Sequence, residues 1–121
     1  FADTVTTATG DVVIESGSAQ FPSSNFNIAG SFDNQDTLNA GAGAVTFNGT
    51  FGSHTISASS SSFYNLVFNG AGGEWLIDES ATATNAISLT NVGSLTVGSG
   101  IVLESTGTFT NGVANASTTW T

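Results

Sequence analysis

The chain has 121 residues and no Lys or Arg beside nine Asp and Glu, giving a formal charge of −9. With one His as its only titratable base, it cannot neutralise phosphates, which excludes nucleic acid and electrostatic docking on anionic membranes. Cys is absent, removing disulfides and thiol chemistry, while 39% hydrophobic residues with nine Phe and two Trp suffice for a core and argue against disorder.

From the N-terminus, no stretch approaches the roughly 20 apolar residues that span a bilayer, so no membrane insertion is expected. No basic-then-apolar leader opens at Phe1. Helical periodicity is missing throughout. Instead, short apolar pairs recur at i and i+2, bounded by Gly, Asn or Ser: Val12/Ile14, Phe26/Ile28, Val45/Phe47, Leu66/Phe68, Trp75/Ile77, Ile87/Leu89, Leu95/Val97 and Ile101/Leu103, with Phe109 marking a further strand. Residues at i and i+2 share one face of a strand, so each pair predicts a short strand with one apolar face. Ser57 to Ser62 reads as a loop inserted between strands.

The segments beginning at Phe26 and at Leu95 both run strand, Gly turn, strand, polar turn, strand, Gly. Three short strands in roughly 20 residues form one coil of a solenoid. The expected fold is all-β: a right-handed parallel β-helix of about five or six short coils, with residues 1–121 forming a single repeat unit or a slice of a longer solenoid. The alternative is a β-sandwich, pilin-like or carbohydrate-binding. Asn34, Asn39, Asn48, Asn65, Asn69, Asn85, Asn91 and Asn111 fall near strand ends, where they could stack coil on coil or simply tolerate turn geometry.

Gly43-Ala-Val-Thr-Phe-Asn-Gly-Thr50, Ser53-His-Thr-Ile56, Ser62-Phe-Tyr-Asn-Leu-Val-Phe-Asn-Gly70 and Gly73-Glu-Trp-Leu together resemble the β-solenoid repeat regions of large bacterial surface, adhesin-like proteins. Phe32-Asp-Asn-Gln-Asp-Thr-Leu-Asn-Ala40 is similar to another phrase of those repeats but has Asp36 where Gly is usual. The resemblance covers roughly residues 26 to 112. It implies a cell-surface or extracellular setting and no catalytic residues.

Little in the chain suggests chemistry. His54, the single histidine, is expected to face solvent at a strand start, and no G-x-S-x-G elbow accompanies it. Carboxylates that could pair for glycoside hydrolysis are Asp33 with Asp36, and Glu74 with Asp78 and Glu79, yet no basic groups support them. No enzymatic activity is expected. Calcium is the one possible cofactor, with Asp33 and Asp36 placing oxygen ligands on a turn. Asn48 and Asn115 head N-glycosylation sequons. Trp75, Trp120, Phe63 and Tyr64 are the rings that could stack on a surface glycan, although alternation places Trp75 in the core.

No capping helix is expected at either end, which leaves strand edges for further coils or identical subunits. The function expected is therefore a structural or adhesive surface or filament element that self-associates head to tail into a homopolymer. A donor-strand pilin or a carbohydrate-binding module accompanies the sandwich alternative.

Overall fold

The computed structural model describes residues 6–113 and, for the backbone, 117–119. The described residues form thirteen strands and no helix: β1 (Thr6–Ala8), β2 (Val12–Ile14), β3 (Ser18–Gln20), β4 (Asn25–Ile28), β5 (Phe32–Asn34), β6 (Thr37–Asn39), β7 (Ala44–Phe47), β8 (Ser53–Ser57), β9 (Ser62–Ile77), β10 (Ala81–Val97), β11 (Leu103–Ser105), β12 (Thr108–Asn111) and β13 (Ser117–Thr119). Every pairing is parallel, and partners lie one coil apart in sequence. Phe26 pairs with Val45, 19 residues on, and Phe32 with Ile56, 24 residues on. Parallel partners so close in sequence require the chain to circle back after each turn, which is a β-solenoid of about five coils. The sandwich alternative falls here, because its sheets are antiparallel.

Each coil has three faces. The first stacks β1, β4, β7, the early part of β9, the middle of β10, and β12. The second stacks β2, β5, β8 and the later parts of β9 and β10, ending on β13. The third pairs β3 with β6 and, further along, the starts of β9 and β10 with β11. The sequence predicts short separate strands, and the first three coils have them. In the fourth and fifth coils, β9 and β10 instead run through a corner as single strands of 16 and 17 residues. Their pairing is interrupted only by register shifts near Ala83–Ala86 and Leu89–Ser94.

Period-two alternation drives the core. Phe26/Ile28, Val45/Phe47, Leu66/Phe68, Trp75/Ile77, Ile87/Leu89 and Leu95/Val97 are all buried. Stacking in register builds columns such as Ile28–Phe47–Phe68–Leu89. Phe47 and Phe68 lie face to face at 5.5 Å and 22°, while Phe32 meets Phe21, Phe47 and Phe63 edge-on at 6.0–6.4 Å. Offset-stacked and edge-on pairs are the favoured arrangements of ring quadrupoles. Ala81 and Ala83 are buried as well, although they are too small to stand out in the sequence.

The insertion expected at Ser57 to Ser62 is a tight turn. Ser59 and Ser60 both adopt positive φ (48° and 58°), and Ser61 N–H donates to the Ala58 carbonyl at 2.8 Å. Two left-handed residues in succession make a type I′ turn. At the corner between the first and second faces, the chain needs glycine for a different reason. A Cβ at Gly70 would collide with the carbonyl oxygen of Gly49 in the coil before.

Candidate functional site

Three features could carry function: the ends of the stack, the outward carboxylates, and a step in the rod's cross-section. At the ends, β1, β2 and β3 each pair with one described strand, as do β11, β12 and β13. Ala8, Val12 and Ala19 at one end, and Leu103 and Val113 at the other, are only half-buried members of the core. Phe109, in register with buried Ile87, is 45% exposed.

The carboxylates have no Lys or Arg to pair with, and five of the eight described ones bond to a neighbouring coil instead. Asp11 accepts the Ser31 N–H at 2.7 Å and Glu79 the Ser59 N–H at 2.6 Å. Glu74 accepts the Ser53 hydroxyl and Asp78 the Ser57 hydroxyl, at 2.7 and 2.8 Å. Asp36 accepts the Gly17 N–H at 2.8 Å from the coil before and the Thr37 N–H, also at 2.8 Å. The Gly17 N–H, then the Thr37 N–H and hydroxyl, hold its carboxyl below the usual carboxylate range. A carboxylate that takes backbone N–H groups ties adjacent coils together much as a salt bridge would, with no basic residue.

These bonds bear on the calcium expectation. Asp36 has both oxygens committed to N–H donors, and Asp33 accepts from the Gln35 amide at 2.7 Å. That is a capped turn, in which N–H donors would compete with a cation for the same oxygens. Among the described residues, no three His, Asp or Glu side chains converge. The sequon residue Asn48 is half-buried with its Oδ1 enclosed, whereas Asn115 lies outside the described residues, as does Trp120. Phe63 and Trp75 are core, and Tyr64 on the opposite strand face is 39% exposed.

The asparagines divide between two roles. Asn85 Nδ2 donates to Asn65 Oδ1 at 2.7 Å, one rung of a ladder between coils. Asn39 and Asn111 accept the N–H of the residue two positions on, at 3.0 and 3.1 Å, which closes local turns. Asn34 does so too, for Asp36 at 3.2 Å, but it is buried, and its Nδ2 donates to Ser61 Oγ at 2.7 Å.

The step arises at the corner between the first and second faces. From inward Ile28 to inward Phe32 the second coil uses four residues, whereas the third uses nine from Phe47 to Ile56. The fourth and fifth coils keep the longer corner, so the rod widens from the third coil on. The longer corner adds an inward column, His54–Trp75–Leu95, that the shorter corners of the first two coils do not have. His54 stands at the start of β8, as the sequence suggests, but its ring packs inward on Trp75 instead of lying fully in solvent. It is half-buried and caps this column, its ring 4.6 Å from the Trp75 indole and tilted by 34°. Its Nε2 lies 3.1 Å from the Phe51 carbonyl oxygen, which fixes the ring against the turn.

Comparison with protein-family models, curated proteins and solved structures finds no match for the chain. The geometry must therefore carry the functional argument alone. Where the rod widens, the third coil forms a ledge beneath the narrower first two. Between them lies a cleft of about 310 Å³, lined by Asp11, Gly30, Asn48, Thr50, Phe51 and His54 among others. Phe51 is 82% exposed. Neither Phe51 nor Asp11 stands out as a site residue in the sequence. The available signal was an aromatic between Gly49 and Gly52, out of step with the apolar pairs on either side.

Proposed function

We propose that this chain is a structural or adhesive element of an extracellular surface, a rod segment that works by end-to-end association into a homopolymer. The observation that carries the reading is that each outermost described strand has one described partner strand, with half-buried core residues beside it. An open rung offers N–H and C=O groups to a further parallel strand, and heterologous contact at two ends propagates into a filament. A second copy would also extend the apolar columns.

The sides of the rod suit this arrangement. A net charge of −9 without Lys or Arg makes flanks repel, so association is directed to the ends. The bacterial surface setting rests on the resemblance of Gly43–Thr50, Ser62–Gly70 and Gly73–Leu76 to adhesin-like repeats. We assign no reaction: Glu74, Asp78 and Glu79 bond to serines of the neighbouring coil, and His54 lies against Trp75.

Negative-stain electron microscopy of the purified chain tests the reading. Unbranched filaments one solenoid wide are expected, and they should disappear when Thr7 and Thr110, on the two end strands of the first face, are both replaced by Pro. Monodisperse particles at every concentration would overturn it.

A further inference from the structure

We propose that the cleft above His54 binds a neutral sugar unit of a surface glycan. The cleft lies where the short corners of the first two coils, residues 9–11 and 29–30, meet the longer corner of the third, residues 48–51 with His54. Its volume of about 310 Å³ is at the small end of ligand sites, which run from roughly 300 to 1,000 Å³. A single pyranose ring suits that size.

The lining favours a hydroxyl-rich neutral ligand over other classes. Asp11 and the absence of any Lys or Arg disfavour an anion. The cleft has one carboxylate, too few for a hard cation that takes six or more oxygen ligands. A purely apolar ligand would desolvate the Asp11 carboxylate and the Thr50 hydroxyl at the cleft wall. Asn48 Oδ1 is shut off from solvent, so it belongs to the wall of the cleft, and recognition falls to Asp11, Thr50 and Phe51.

Phe51 supplies the other half of sugar recognition. Packing does not explain an aromatic side chain 82% exposed at the mouth of a cleft. Its backbone is held by the contact between its carbonyl and His54, and Gly52 (φ 84°) turns the chain directly after it. The ring is thus presented on a fixed turn, where it can stack on the C–H face of a pyranose while polar groups meet the hydroxyls. The binding surface deepens the adhesive part of the proposed function and rests on it for its biological use. Binding itself does not depend on filament formation.

His54 gives the site a reporter, because its ring contacts Trp75 and also lines the cleft. In a Trp120→Phe background, Trp75 emission is titrated with free glucose, galactose, mannose, N-acetylglucosamine and N-acetylgalactosamine, with calcium chloride and sodium glutamate as further arms. Saturable change with at least one sugar is expected, and Phe51→Ala should weaken it by up to about tenfold. Because Phe51 is exposed, that variant should keep its thermal midpoint, and its filaments should persist. No response to any of the five sugars would overturn the proposal, as would an affinity unchanged by Phe51→Ala or a response to calcium or glutamate alone. A parent chain that binds sugar but forms no filaments would count against the end-to-end reading and leave this one standing.

Discussion

The His54 ring lies 4.6 Å from the Trp75 indole and closes the end of a column that the first two coils do not possess. Trp75 is 1% exposed, so His54 is what separates it from the cleft. His54→Ala should cost about 1–2 kcal/mol through lost ring contact and partial exposure of the indole. Urea unfolding would read this, together with a red shift of Trp75 emission. His54→Phe keeps a ring on Trp75 and should recover most of the loss.

The buried pair Asn34 and Ser61 holds the type I′ turn against the core, with Nδ2 to Oγ at 2.7 Å. Ser61→Ala leaves the Asn34 amide inside without that acceptor and should cost about 1–3 kcal/mol by chemical denaturation. Replacing both, as Asn34→Leu with Ser61→Ala, should cost less than the two single changes added together, because no buried donor is then stranded.

At Ser60 (φ 58°) the backbone is in a region that glycine occupies freely and other residues do not. Ser60→Gly is expected to raise stability by up to about 1 kcal/mol, seen as a higher thermal midpoint. Ser60→Val should lower it.

Gly70 and Gly10 make a contrasting pair. A Cβ at Gly70 would strike the Gly49 carbonyl in the preceding coil, whereas one at Gly10 meets nothing within 4 Å. Gly70→Ala should therefore cost about 3 kcal/mol or more or prevent folding, because a backbone contact cannot swing aside. Gly10→Ala should leave the thermal midpoint nearly unchanged.

Asp36 gives the stack an acid dependence. Its pKa is lowered in the folded state, so its contribution is fully present above the unfolded carboxylate value of about 3.9 and fades as pH falls through the lower folded value. Asp36→Ala should lower the thermal midpoint at pH 7, and the gap from the parent should narrow below about pH 4. Since its oxygens serve Gly17 and Thr37, adding a calcium chelator at pH 7 should leave the midpoint where it was.

Much of the fold was legible because alternation is a local signal. Phe26/Ile28 or Leu66/Phe68 need only their own strand to declare an inward face, and the coil follows from three such strands in about 20 residues. What escaped depended on register between coils. His54 sits inward only because the third coil's corner is longer than the second's, a comparison that requires knowing that Ile56 stacks on Phe32. Likewise, Asp11 finds Ser31, and Glu79 finds Ser59, across 20 residues. The continuity of β9 through Gly70–Gly73 also went unseen, since glycines in sequence read as a break, while here they let neighbouring backbones pair without side chains between them.

The central claim is that the coils stack in parallel and in this register, and the absence of native Cys makes it directly testable. Thr46 and Val67 are register partners on the outward side of adjacent coils, and Ser88 is the next member of the same row. Under mild oxidation Thr46→Cys with Val67→Cys should form an intramolecular disulfide in the folded monomer, because parallel partners fall within the reach of the bond. Thr46→Cys with Ser88→Cys, two coils apart, should not. Equal cross-linking of both pairs, or a disulfide only in the second, would contradict the stacked solenoid.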